Sequence, residues 1–354
     1  MSNQQEHTSL TSQQSATVET RKRTISRRRA ITLFGCAAGL PALGLGTTHA
    51  GSKEISLYKW EGSALGAQAQ LTLAHHNREE AKNIISSVIV EIERLEQIFS
   101  LHRPNSELTI LNNQGYIPNP SADLIDICKT AIRFGYDTDG AFDITVQPLW
   151  KVFANHFREN PVTSGGPSSW EILRALNYVD YRAVDISSQR ISFGRPGMQV
   201  TLNGIAQGYI TDTVTTLLQQ QGITQVLVEL GETKTLGEHP EGRPWRIGLA
   251  DPQDRTKTTE TVELANKAVA TSSGLGTTFS RDGSFHHLFD PRTGLPKNHN
   301  ISVSVISDSA AVADAMSTAL FIATPDNARP IVERVGGMMA LISATDGTKR
   351  RIVS

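Results

Sequence analysis

Asp314 and Thr318 stand four residues apart in Ala313-Asp314-Ala315-Met316-Ser317-Thr318-Ala319, a spacing that puts both on one face of a helix. Alanine and leucine surround them, so both oxygens would rise from a closely packed surface. A carboxylate with a hydroxyl suits Mg²⁺, which takes few protein oxygens and keeps positions for water and phosphate. An aspartate near a helix start, favoured by the dipole, reads the same way without any metal. The run His286-His287-Leu288-Phe289-Asp290-Pro291-Arg292-Thr293-Gly294 joins an imidazole to a tight Asp-Pro…Gly turn. Imidazole is the usual carrier of protons near neutral pH; a metal-binding pair and an ordinary turn are the competing readings. Adjacent histidines on a strand point to opposite faces, which argues against joint chelation.

Asn203-Gly204-Ile205-Ala206-Gln207-Gly208-Tyr209 opens a helix with small residues, presenting free N–H groups and a positive dipole end to a phosphate. Alone the signal is weak, since glycine-containing helix starts are common. Gly140-Ala141-Phe142-Asp143-Ile144-Thr145-Val146-Gln147-Pro148-Leu149 is a compact turn feeding a short apolar segment, where Asp143 either caps or meets a ligand. Cys128 falls with Leu124, Ala131 and Ile132 on the apolar side of a helix. It reads as a buried small hydrophobe rather than a nucleophile.

These residues must be positioned by a mixture of strands and helices without regular alternation. Gln68–Leu73 alternates as a strand, and Arg78–Phe99 carries Ile84, Ile85, Val88, Ile92, Leu95 and Phe99 at helical spacing. Ser121 caps a helix ending near Gly135. Residues 155–169 are rich in Asn, Pro, Gly and Ser, a surface loop or subdomain joint. Ile205–Gln221 reads as a helix stopped by Gly222, then a strand over Gln225–Leu230. Further strands fall at Trp245–Ala250, Thr261–Leu264 and Ile301–Ile306. Ser309 caps a helix through Ala323, Asp326 starts another that Gly336 ends, and Met339–Ser343 closes the chain as a strand. The class is α+β, with mixed, largely antiparallel sheets and packed helices.

Residues 1–23 are polar and low in complexity, and Ser26-Arg27-Arg28-Arg29-Ala30-Ile31 then runs into an apolar stretch to Leu45, broken by Gly39, Pro41 and Gly44. That is a twin-arginine export signal, with Thr48-His49-Ala50 placing cleavage after Ala50. The stretch is too short and glycine-rich for a membrane span, which needs about 20 apolar residues. Leu33-Phe34-Gly35-Cys36 has the look of a lipoprotein box but leaves too few apolar residues before the cysteine. The chain therefore divides into a signal at 1–50 and one catalytic domain at 51–354. The leader holds six Lys/Arg and two Asp/Glu, so its removal takes the formal charge from −1 to −5. A mildly acidic domain gives no reason to expect nucleic acid or an anionic membrane. Cys128 is then alone, without a disulfide partner.

Taken together, in this order, the segments resemble the ApbE family of FAD:protein FMN transferases. The likeness is carried by Ala64-Leu65-Gly66-Ala67, Phe99-Ser100, Ser106-Glu107-Leu108 with Leu111-Asn112, Gly140–Leu149, Asn203–Tyr209, His287–Pro296 and Ala313–Thr318, spread over residues 55–345. It is nearest to the exported NosX-type members associated with nitrous oxide reduction. The resemblance implies a T-fold-like domain and an exported enzyme. FAD binds with its pyrophosphate against Mg²⁺, and a Ser or Thr hydroxyl of a periplasmic acceptor attacks the phosphorus on the FMN side. AMP leaves, and FMN stays attached as a phosphodiester. By position, Asp314, Thr318 and the Gly204 carbonyl are implied metal ligands, and His287 the base. Leu65, His102, Ala141, Phe142, Asp143, Gln207 and Phe289 are implied to line the FAD site.

The chain departs from the family pattern at four places. Leu65 stands where Met is usual, a volume-conserving change. Thr201 and Gln207 replace an Asp and a Lys, removing a charge pair while Gln207 keeps hydrogen-bonding capacity. Gly231-Glu232 replaces Gly-Gly, and Thr271-Ser272-Ser273-Gly274 carries one extra small residue. Two other readings compete with transfer: an FAD pyrophosphatase giving FMN and AMP, and a non-catalytic FAD-binding assembly factor.

Overall fold

A computed structural model describes residues 55–163, 165–254 and 256–354, together with the backbone of 34–36; the twin-arginine segment, the cleavage point after Ala50 and the other leader positions lie outside the described residues. Residues 31–354 cluster as one unit.

Strand sequences alternate in burial because successive side chains point to opposite faces, and here the two faces have different covers. The main sheet runs in the order Phe34–Cys36, Ser56–Ala64, Ala67–His75, Val226–Glu229, Thr233–Leu236, Ala268–Ser273, Asn300–Ser307, Met338–Ala344, Lys349–Val353. Every pairing in it is antiparallel. Along Asn300–Ser307, Val303 and Val305 enter the main core, while Ile306 faces the other way. On that second face a hairpin of Trp245–Ala250 and Thr258–Leu264 packs Trp245, Ile247, Leu249, Val262 and Leu264 against Val269 and Ile306.

Among the described residues there are eight α-helices: α1 Arg78–Phe99, α2 Glu107–Gln114, α3 Ala122–Asp137, α4 Gln147–Glu159, α5 Ser169–Leu176, α6 Ala206–Gln220, α7 Ala310–Ile322 and α8 Pro325–Val335. Helix α7 buries eleven of its thirteen residues, which marks it as central rather than amphipathic. It lies on Ala268–Ser273 and Asn300–Ser307 and against α6, which in turn meets α1. The α6–α7 contact is unusually close: a Cβ on Gly208 would come within 2.3 Å of the Ala310 carbonyl oxygen.

The expected helices over α1, α3, α6, α7 and α8 are present, capped by Asn77, Ser121 and Ser309 where a side-chain cap forms. Cys128 is buried, and burial pushes its thiol up to about 12, consistent with an inert hydrophobe. Two expectations need correction. Residues 155–169 are not one loop: Phe153 and Phe157 carry α4 on to Glu159, because their burial rewards another helical turn, and Ser168 caps α5 through a capping box with Glu171. The chain also does not close at Met339–Ser343, since Lys349–Val353 pairs with it as a further antiparallel strand. A small sheet of Tyr116–Pro118, Val184–Ile186 and Arg190–Phe193 completes the fold. No helix among the described residues is long and apolar enough to cross a membrane.

Candidate active site

One cavity of about 620 Å³ opens beside the ends of α6 and α7, and all eleven residues singled out for catalysis, FAD or metal line it. Its walls come from eight separate stretches of chain. The hairpin between Ser56–Ala64 and Ala67–His75 turns through Leu65 and Gly66, both at positive φ (46° and 84°), as a two-residue turn with this twist requires. A leucine in that conformation is strained. Its N–H is held by the Glu96 carboxylate at 2.9 Å, and Glu96 in turn pairs with Arg103. Glu96 and Arg103 also line the cavity. The exposed His102 sits at its rim, its N–H on Ser100 Oγ at 3.1 Å.

Phe142 is fixed by its N–H on Thr138 Oγ1 (3.0 Å) and by an edge-on contact with Phe134. Asp143 caps while also lining the cavity: one oxygen takes the Thr145 N–H and hydroxyl at 2.7 and 2.6 Å, the other the Tyr181 N–H at 3.1 Å. Burial outweighs these bonds and pushes its carboxyl up to about 6. Phe289 is nearly sealed into an aromatic cluster with Phe153 and Phe279, at ring distances of 4.8 and 6.0 Å. Helices α4 and α5 thus brace the segment that carries His287.

The two histidines have separate fates. His286 is buried, its Nε2–H bonding Lys297 O (3.1 Å) and its Nδ1 accepting the Leu288 N–H at 3.2 Å. The rings lie 6.4 Å apart at 72°, and with both His286 nitrogens engaged the pair does not chelate jointly. His287 Nδ1 meets Thr277 O at 3.0 Å. A carbonyl can only accept, so Nδ1 carries the hydrogen and Nε2 keeps its lone pair. Burial pulls the ring down to about 4, against the Thr277 bond, with a small push from His286. At neutral pH this is a neutral imidazole with a free base nitrogen. The turn beyond it is locked by Asp290, whose carboxyl, despite burial, is held below its ordinary range by Arg292 and Lys297.

At the other side, Asp314 accepts the Gly208 N–H at 3.1 Å. This amends the expectation of an open helix N-terminus: the Ala206 and Gly208 amides are already engaged, the first by Leu202 O. The positive end of α6 therefore serves a carboxylate. Thr318 stands against Gly204, where a Cβ would lie 3.2 Å from its Oγ1. Ser272 bonds both Ser317 and Thr318, at 2.7 and 3.2 Å, and so orients the Thr318 hydroxyl. Thr201 accepts the Asn203 N–H at 3.2 Å, a turn bond that an aspartate there could equally make. Among the described residues no three His, Cys, Asp or Glu side chains gather as a metal cluster. Carboxylate, hydroxyl and backbone carbonyl are instead hard oxygens, the donor chemistry of Mg²⁺. Asp314 is pushed up by burial, against the Gly208 N–H. The residues fit the ion.

Sequence reasoning missed Glu96, Arg103, Ser272, Thr277 and the cavity-lining side chain of Glu232. Glu96 was visible only as a polar member of α1's buried face; Arg103 follows α1, Ser272 lies near the end of the strand Ala268–Ser273, and Glu232 and Thr277 sit in turns beside strands distant in sequence.

The sequence matches the ApbE family over residues 65–342. The chain belongs to that family. It is 28% identical over 291 residues to the FAD:protein FMN transferase of Escherichia coli K12, covering 80% of this chain and 83% of that protein. It is 30% identical over 274 residues to the FAD:protein FMN transferase of Vibrio cholerae, covering 75% and 81%. The crystal structure of the ApbE protein of Thermotoga maritima superposes with a TM-score of 0.75 at 27% identity, over 84% of this chain and 97% of that one. The flavin transferase ApbE of Vibrio cholerae gives 0.72 at 26%, over 85% and 98%.

Proposed function

We propose that this ApbE-family enzyme moves FMN from FAD onto a Ser or Thr hydroxyl of a periplasmic acceptor protein, with Mg²⁺ held by Asp314, Thr318 and the Gly204 carbonyl. The observation that carries the reading is the His287 tautomer: a neutral ring with Nε2 free, in the same cavity as the Asp314–Thr318 pair.

An alcohol is a weak nucleophile until a base takes its proton during attack. His287 Nε2 takes that proton, and Thr277 holds the ring so that the imidazolium formed keeps a partner for Nδ1–H. The alcohol oxygen bonds to the phosphorus on the FMN side, the bond from that phosphorus to the bridging oxygen breaks, and AMP departs with the bridging oxygen. Bound Mg²⁺ would neutralise charge on the phosphate oxygens and orient an in-line displacement. Phe142, Phe289 and Leu65 offer apolar wall to a flavin, and Gln207 an amide for hydrogen bonds. The Leu65 turn is held by Glu96 rather than by the ligand, so that wall exists before FAD binds.

The twin-arginine leader places the acceptor outside the cytoplasm, and the NosX-like character suggests a role in maturing a nitrous oxide reduction system. The test is to incubate the mature chain with FAD, Mg²⁺ and a candidate periplasmic electron-transfer protein, then run a denaturing gel. Flavin fluorescence should stay on the acceptor. Free FMN with no labelled acceptor would instead mark a pyrophosphatase, and unchanged FAD a binding protein.

A further inference from the structure

Helices α6 and α7 meet along three antiparallel rungs, each four residues from the next on both sides. Gly204, just before α6, stands against Thr318, where a Cβ would lie 3.2 Å from Thr318 Oγ1. The Gly208 N–H donates to Asp314 at 3.1 Å. Asp212 makes the third rung, at the start of α7 and away from the cavity lining. Its Oδ1 takes the Ala310 N–H at 2.9 Å and the Lys234 ammonium at 2.6 Å. Its Oδ2 takes the Ser309 hydroxyl at 2.7 Å and the Ala311 N–H at 3.0 Å. The first N–H groups of a helix have no partner within it. Here Asp212 meets those of Ala310 and Ala311, and Ser309 Oγ meets that of Val312 at 3.2 Å.

The body of α7 is rich in alanine, with Ala310, Ala313, Ala315 and Ala319 fully buried. Methyl groups make shallow ridges, so packing alone fixes weakly where such a helix sits along its axis. Hydrogen bonds to a carboxylate are directional and strong, and fix it well. We propose that Asp212 is a positioning residue for the cation: by gripping the first turn of α7 from α6, it sets the height of Asp314 and Thr318 against the Gly204 carbonyl. The proposal rests on the reading of those groups as metal ligands. Asp212→Asn keeps one acceptor oxygen and turns an NH₂ toward two donors, so an amide cannot replace the grip. Asp212→Glu keeps both oxygens on a longer arm.

The test is Mn²⁺ binding followed by electron paramagnetic resonance, with and without FAD, beside hydrogen–deuterium exchange over residues 308–318 of the mature chain. Asp212→Asn should raise the Mn²⁺ dissociation constant about tenfold or more, the usual worth of a residue that orients metal ligands. It should also speed exchange at the start of α7, and Asp212→Glu should recover most of the affinity. Ile247→Ala, in the core under the hairpin and away from the crossing, controls for lost stability. It should melt below the parent yet bind Mn²⁺ as the parent does. Parent-like Mn²⁺ affinity in Asp212→Asn, with exchange at α7 faster, would make Asp212 a helix cap only and overturn the proposal. An equal loss of affinity in Ile247→Ala would also overturn it, since binding would then follow general stability. Unchanged exchange at α7 in Asp212→Asn would show that the grip is absent. Should Asp212→Asn not fold, Asp212→Glu and Ser309→Ala carry the test: their affinities should fall in step with their exchange rates, and parent-like affinities would overturn the role. A parent that takes up no Mn²⁺ with or without FAD would instead remove the metal reading itself, and the proposal with it.

Discussion

His286 and His287 are adjacent, yet one is a buried clamp with both nitrogens engaged and the other a ring with Nδ1 engaged and Nε2 free. The difference lies in which carbonyl each ring meets, and a pair of letters in a sequence does not carry that information. The sequence did show that the two rings diverge and that an imidazole stands before a rigid turn. The structure adds the tautomer and the burial. Because burial holds His287 near 4, its protonated form is rare until the medium is strongly acidic. The acid limb of kcat/KM due to this base, measured at saturating Mg²⁺, should therefore fall near pH 4 and not near the ordinary histidine value of about 6.5. Transfer is lost as pH drops through that limb, since the proton occupies Nε2. His287→Ala should keep FAD binding within a few-fold while lowering the transfer rate by about 10²–10⁴, the usual worth of a general base. A limb near 6.5 would mean that the ring is solvated in the working enzyme.

Asp314 and Thr318 depend on how closely α6 and α7 approach. Their four-residue spacing was legible because a helix repeats it along one face, and the long period of Arg78–Phe99 was legible for the same reason. Glu232 and Ser272 were not. Each reaches the cavity from the end of a strand, and strand order is set by pairings far apart in sequence, such as Ala268–Ser273 with Thr233–Leu236. The loop reading of 155–169 erred because composition was weighed over the buried Phe153–Phe157 spacing. At the helix crossing, Gly208 is decisive: a methyl there collides with backbone, not with a side chain that can turn aside. Gly208→Ala should cost about 3 kcal/mol, read by urea denaturation, at the upper end of ordinary overpacking. It should also weaken Mg²⁺ binding, because the amide that holds Asp314 moves with the helix. A variant as stable as the parent would show that the helices separate freely.

Across the whole molecule, the helices and the hairpin cover opposite faces of one antiparallel sheet, and the cavity forms only where α6, α7 and the loops at one end converge. Fold class was readable from the irregular order of strands and helices; the closing strand and the hairpin's role as a second cover were not. A site drawn from eight stretches between Leu65 and Ile322 exists only once the chain is folded. The central claim is that bond breaking occurs between the two phosphorus atoms of FAD, with the FMN half retained. FAD radiolabelled at the phosphorus on the AMP side tests it most directly, with the acceptor protein isolated under denaturing conditions after reaction. The expected result is a fluorescent acceptor free of radiolabel, with all label recovered as AMP. Radiolabel on the acceptor, or labelled AMP released beside an acceptor without flavin, would contradict it.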